Sequence, residues 1–193
     1  RAIALPAAFK DEASVVPLRV HLGGDASCLN LTRPQQPRVL GVRPEEFASR
    51  GAFSFAATVA QTPGESLWLL LKRSPGDDAV PAIADQTTLE WSLQKGVGDT
   101  LDYTDERGRR FRVRIVGAIE NSVLQGSLVI SEEAFVAKFP SESGYRMFLV
   151  DAPPEQAAEV AKTLSQQMSD VGLAVMTTSE RLAEFNAVQN TYV

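Results

Sequence analysis

His21 is the one histidine of the chain, and Cys28, seven residues further on, is its one cysteine. With Asn30 they supply the residue types of a Cys-His-Asn hydrolase, in which an imidazole takes the thiol proton and an amide orients the imidazole. Against that chemistry, His21 falls within a strand-like alternation and Cys28 runs into apolar Leu29 and Leu31. Zinc has too few ligands here, because a structural site takes about four and one His with one Cys supply two. The carboxylates of Asp77, Asp78, Asp99, Asp102, Asp105 and Glu106 could meet a calcium ion, but they lack the loop spacing of a calcium motif and fall on turns. Gly64-Glu65-Ser66 lacks the lysine of a phosphate-binding loop, and neither Gly126-Ser127 nor Ser143-Gly144 completes a nucleophile elbow. The residues therefore argue against an enzyme, with no catalytic, metal or cofactor site expected.

Five arginines, Arg107, Arg109, Arg110, Arg112 and Arg114, cluster around Phe111, Val113 and Ile115. A period of two gives a strand with one arginine face and one buried face. The expected balance comes from Asp99, Asp102, Asp105 and Glu106 across a hairpin. Trp68 and Trp91 both lie in apolar segments and read as core, as does Met168 on a helical stripe.

A formal net charge of −5 excludes a general nucleic-acid partner, which would require a concentrated basic face. With 44% hydrophobic and 22% charged residues over 193 positions, the chain can bury a core without disulfides. Its longest apolar run, Leu67-Trp68-Leu69-Leu70-Leu71, falls far short of the roughly 20 residues that cross a bilayer.

The elements that must position these residues can be read in order. Strands are expected over 15–22, 39–42, 53–59 and 67–72, with a helical turn opened by Pro44. After the break at 74–78, residues 80–84 read as a buried strand, Asp85 caps a short helix over 87–94, and Gly96 closes it. Residues 100–104 and 110–118 pair around Asp105-Glu106-Arg107-Gly108. A strand over 127–130 leads into a helix begun by Ser131 and ended by Pro140. A strand over 145–150 is followed by the strongest helical stripe, Ala157, Val160, Ala161, Leu164, Met168 and Val171, with Gly172 at its stop. Residues 173–178 then return as a strand. Thr177 and Glu180 have capping-box spacing, and Leu182, Phe185, Val188 and Tyr192 continue a helix with no stop before Val193. The helix reads as interrupted there, just as Arg1 opens the chain without an initiator methionine.

Pro81-Ala82-Ile83-Ala84-Asp85, Gly98-Asp99-Thr100-Leu101 and Val116-Gly117, taken in order with the closing strand, cap and helix, give a wider resemblance. The chain resembles the extracytoplasmic domains of FtsX-like ABC-transporter permeases, the family that includes MacB-type exporters and lipoprotein-release permeases. The likeness is good over 80–193 and weaker before; Gly24 to Leu31, with 34–42, resembles a stretch of long-ectodomain members. It implies an α+β fold: a mixed α/β periplasmic core domain with a split strand-helix-strand, porter-like unit and an inserted β-rich subdomain. The division expected is 1–74 plus 141–193 for the membrane-proximal unit and 75–140 for the insert. The implied role is non-catalytic, coupling cytoplasmic ATP hydrolysis through transmembrane helices to export or to activation of an envelope partner. Arg181, Leu182, Phe185, Val188 and Tyr192 would form the coupling helix. The resemblance also implies a separate ATPase subunit, a permease dimer, an envelope protein or lipoprotein as substrate, and a place outside the bacterial inner membrane. The alternative reading is a soluble envelope hydrolase or binding protein using His21 and Cys28.

Overall fold

The structure is a computed structural model, and it describes residues 13–23, 36–59, 64–73, 78–168, 172 and 174–191. Its contacts divide the chain into a larger unit, Pro17–Met147, and a smaller one made of Arg1–Val16 and Phe148–Val193.

The larger unit is built on a mixed sheet. Its strands are β1 (Ser14–His21, shared with the smaller unit), β2 (Arg38–Val42), β3 (Phe55–Thr58), β4 (Val80–Asp85), β5 (Thr100–Thr104), β6 (Arg110–Ile119) and β7 (Ser127–Ser131). They lie in the order β3-β6-β4-β7-β2-β1, and β5 also pairs with β6. The two inner ladders β2–β7 and β4–β6 are parallel, while β4–β7 and the remaining pairings in this unit are antiparallel. Such inner strands are covered on both faces and read as continuous apolar runs. Every residue of β4 and β7 is accordingly buried.

Pro81 inside β4 has no N–H and so removes one donor from a ladder. The β7 pairing is confined to Ile83 and Ala84, so Pro81 faces a partner only in β6. The ten-residue β6 serves two partners on its other edge: residues up to Arg114 pair with β5, and Gly117 onward with β3. Gly117 leaves room there for the Phe55 ring, from which an added Cβ would stand only 3.0 Å.

Helix α1 (Pro44–Arg50) starts with proline at its first turn and stops at Gly51 in the left-handed region, as such caps favour. Residues Leu67–Lys72, expected as a strand, instead form a 3-10 helix. Residues three apart eclipse one another in that geometry. Trp68 and Leu71 therefore share one face and are both buried, and the Trp68 Nε1–H donates to the Ala52 carbonyl at 2.7 Å. Phe47 and Phe55 close around the indole at 4.6 and 5.5 Å between ring centroids.

Thr88–Leu93 is a π-helix, and its stop is Gln94 at φ 53° rather than the expected Gly96. The expected cap holds: the Asp85 carboxylate accepts the Thr87 N–H at 3.0 Å. Helix α2 (Glu132–Lys138) is capped by the Ser131 hydroxyl, which accepts the Ala134 N–H at 3.2 Å.

The expected insert over 75–140 is overturned by these ladders. β7 pairs along its whole length with β2, and β6 with β3, so 75–140 is interleaved with the earlier chain in one sheet. The division by contacts falls elsewhere, at Val16 to Pro17 and Met147 to Phe148.

The smaller unit holds most of β8 (Met147–Asp151), helix α3 (Ala157–Met168) and helix α4 (Thr178–Thr191). Val160 and Leu164 of the predicted stripe pack with Ala13 and Ala152, whereas Ala157 is exposed. Val171 lies outside the described residues, and Gly172 is in the left-handed region at φ 71°. The returning strand over 173–178 is not formed among the described residues: 174–177 is irregular, and Val175 and Met176 are exposed. A partner strand would have to satisfy its backbone, and Thr177 is instead committed to the helix cap.

Candidate functional site

Cys28 and Asn30 lie outside the described residues, so only the imidazole of the candidate hydrolase can be placed. His21 ends β1 and stacks on Phe139, 4.1 Å between ring centroids at an interplanar angle of 14°. Its Nδ1 lies 3.2 Å from a Glu142 carboxylate oxygen, and the other oxygen of Glu142 pairs with Arg146 at 2.9 Å. The ring is thus held by an apolar face and a carboxylate, an arrangement that fastens the segment after α2.

Of the acids singled out on turns, Asp99, Asp105 and Glu106 are engaged locally. The Asp99 carboxylate accepts the Gly96 N–H at 2.8 Å. Asp105 organises the hairpin turn: one carboxylate oxygen accepts the N–H groups of Arg107 and Arg109, and the other the Arg109 guanidinium at 2.8 Å. Burial pushes the Asp105 carboxyl upward, but the Arg109 backbone and guanidinium outweigh it and hold it below the usual range. Glu106 is held low by the hydroxyl and N–H of Ser141. Asp102 alone stands across the strands from an arginine, Arg112. Asp77 lies outside the described residues, and among those described no three His, Cys, Asp or Glu side chains gather as metal ligands.

Two features escaped the sequence. Trp91, expected in the core, is 75% exposed. It rides on the π-helix while Thr88 and Leu89 turn inward, and a six-residue apolar-polar pattern does not distinguish a π-turn from an α-turn. The second is a cluster at the start of α2. Glu132 accepts from Arg19 at 2.7 Å and from the Tyr145 hydroxyl at 2.9 Å, with Arg43 at 3.3 Å. The Arg19 guanidinium also lies 5.1 Å over the Tyr145 ring. No local spacing announces it, because Arg19 and Glu132 are 113 residues apart.

Of the residues proposed for coupling, Arg181, Leu182, Phe185 and Val188 sit on α4. Its start carries the predicted capping box in full: the Thr177 hydroxyl accepts the Glu180 N–H at 3.2 Å, and the Glu180 carboxylate accepts the Thr177 N–H at 2.8 Å. The Thr177 hydroxyl, which donates to that carboxylate at 2.7 Å, and then the Thr177 N–H hold the Glu180 carboxyl below its usual range. Arg181 lies over the Phe185 ring at 4.4 Å and pairs with Glu184 at 3.0 Å. Leu182 and Phe185 are half-buried. Val188 belongs to the helix, and Tyr192 lies outside the described residues. Among the described residues, no helix is long and apolar enough to cross a membrane.

The fold is a mixed α+β domain. Its backbone is similar to the periplasmic region of MacB from Actinobacillus actinomycetemcomitans, with a TM-score of 0.42 and 10% identity over 92% of this chain and 76% of that one. It is also similar to the extracellular domain of YknZ, a noncanonic ABC-type transporter from Gram-positive bacteria, with a TM-score of 0.39 and 11% identity over 86% of this chain and 79% of that one. No family model matches the sequence, and no curated protein matches it.

Proposed function

We propose that this chain is the extracytoplasmic domain of an FtsX-like, MacB-type ABC-transporter permease and that it transmits motion rather than catalysing a reaction. The carrying observation is the ordered motif set on which the sequence resemblance rests, together with the way its hairpin is built. Gly98, at φ 98°, donates its N–H to Ile115 at 2.8 Å, and the Ile115 N–H returns to Asp99 at 2.9 Å, immediately before Val116-Gly117.

On this reading α4 is the lever. Its first turn is fixed by the reciprocal Thr177–Glu180 cap, and a helix pinned at one end passes a rotation on to whatever adjoins its other end. Arg181, Leu182, Phe185, Val188 and Tyr192 would carry the motion. The ATPase is a separate subunit, the permease is dimeric, and the domain lies outside the inner membrane. The substrate or activated partner is an envelope protein or lipoprotein.

Two measurements test this. The gene should encode two or more apolar runs of about 20 residues downstream of Val193; a stop codon soon after it would sink the proposal. In the whole transporter, a flexible glycine linker inserted after Tyr192 should uncouple ATP hydrolysis from export or partner activation while the domain stays folded. Unchanged coupling would remove the mechanical role of α4. Purified protein should also show no hydrolase turnover that a Cys28→Ala substitution abolishes.

A further inference from the structure

The β5–β6 hairpin ends in a cationic tip whose surroundings differ from the balanced face expected of it. Of the four acids near its arginines, Asp99 accepts the Gly96 N–H, and Glu106 accepts from Ser141 while its charge still acts on Arg107. Asp105 is folded into the turn with a side chain only 3% exposed, and it takes Arg109 alone. Asp102 faces Arg112. Arg107 and Arg110 are both exposed; Arg107 is held to Glu106 by charge alone, which leaves both guanidinium forks open to a ligand. Arg109 remains 64% exposed despite its pairing. On the other face of the hairpin, Lys138 lies 4.6 Å over the Phe111 ring, adding a fifth cation beside the turn.

We propose that this tip, presented by Arg107, Arg109, Arg110 and Arg112 with Lys138 behind them, docks onto the phosphate headgroups of an anionic lipid surface. Guanidinium groups match phosphate oxygens in a bidentate fork, and clusters of about four to eight basic side chains are the usual footprint for anionic lipid. A folded protein partner is the less fitting occupant. Protein interfaces are anchored by buried aromatic or aliphatic side chains, whereas the exposed turn at 106–110 carries only Glu106, the arginines and Gly108. The formal net charge of −5 means that the rest of the surface is repelled from such a membrane, which favours contact through this tip. The inference holds or fails independently of the transport role.

The test is co-sedimentation of the full chain with vesicles of phosphatidylglycerol and phosphatidylcholine, against vesicles of phosphatidylcholine alone. Binding is expected only to the anionic vesicles, and it should fall steeply as salt rises from about 0.05 to about 0.5 M. An Arg107→Glu, Arg110→Glu variant should bind at least about tenfold more weakly. An Arg107→Ala, Arg110→Ala variant should fall between it and the wild type. A Lys95→Glu, Lys162→Glu variant, which changes net charge equally away from the tip, should keep most of the binding, with thermal melts checking that each variant folds. Absence of binding to anionic vesicles, or equal loss in the tip and control variants, overturns the proposal. Binding of polyglutamate without vesicle binding would assign the tip to an acidic protein instead, and binding of inorganic phosphate without vesicle binding would reduce it to a small-anion site.

Discussion

Asp85 and Ser122 are joined across 37 residues by a 2.8 Å hydrogen bond from the Ser122 N–H to the Asp85 carboxylate. The same carboxylate caps the π-helix at Thr87, so one fully buried acid ties the end of β4 to the turn after β6. Removing it leaves two N–H groups without their acceptor, that of Ser122 buried and that of Thr87 half-buried. Asp85→Ala should therefore cost about 3 kcal/mol of unfolding free energy, and Asp85→Asn, which keeps one carbonyl acceptor, less than that. Urea denaturation midpoints would show it; a loss below about 0.5 kcal/mol for the alanine variant would mean that water replaces the carboxylate.

The two tryptophans should separate cleanly in fluorescence. A Trp68→Phe protein, reporting on the exposed Trp91 alone, should emit at long wavelength and be strongly quenched by iodide. A Trp91→Phe protein should emit at shorter wavelength and resist quenching, because Trp68 is 1% exposed. Trp68→Ala should destabilise by about 3–5 kcal/mol, and Trp91→Ala by well under 1 kcal/mol.

Helix α4 should lose its first turn in acid. The folded-state carboxyl of Glu180 lies below its ordinary value because it accepts from Thr177, so its contribution is present above the ordinary glutamate range and is lost as pH falls through the lowered value. Far-UV circular dichroism should show a fraction of helicity disappearing in that window. Thr177→Ala, which keeps the backbone N–H but loses the hydroxyl, should shrink the acid-dependent step and cost about 1 kcal/mol of helix stability at neutral pH. An identical titration in wild type and variant would refute the linkage.

Gly41 in β2 lies directly under Phe135 of α2, where an added Cβ would stand 2.7 Å from two ring-side carbons. Gly41→Ala should cost about 1–3 kcal/mol through overpacking. A companion Phe135→Leu substitution keeps the clashing Cβ and Cγ and should recover little of the loss, which a thermal melt of the double variant can check.

Elements defined by neighbouring residues were legible in the sequence. The Ser131 and Thr177 caps, the Asp85 cap, the proline start at Pro44 and the turn from Asp105 to Gly108 all depend on contacts within a few positions, and their residue types carry the information. The 3-10 helix at Leu67–Lys72 was not, because its hydrophobic spacing fits an inward strand as well as a tight helix, and packing of Trp68 under Ala52 decides between them. The strand expected over 173–178 failed for the opposite reason: an apolar run names a strand only if a partner edge receives it. The division of the chain was misread because loop signals at Ser74 and Pro140 say nothing about ladders such as β2–β7. Of the candidate coupling residues, spacing gave the helix and its cap, while the Arg181–Phe185 contact emerged only from side-chain geometry.

The β2–β7 ladder also sets an order of events in synthesis. Arg38 and Ser127 are held together by a 2.8 Å bond across 89 residues, and that parallel pair stands in the middle of the sheet. As the chain emerges from the ribosome, β1 and β2 can form a hairpin-like pair, but one long edge of β2 stays open until β7 arrives. Contacts of such separation slow folding and leave apolar edges exposed meanwhile. Fragments ending before residue 127 should therefore aggregate, and refolding of the intact chain should be limited by the closure of this single ladder rather than by any of its helices.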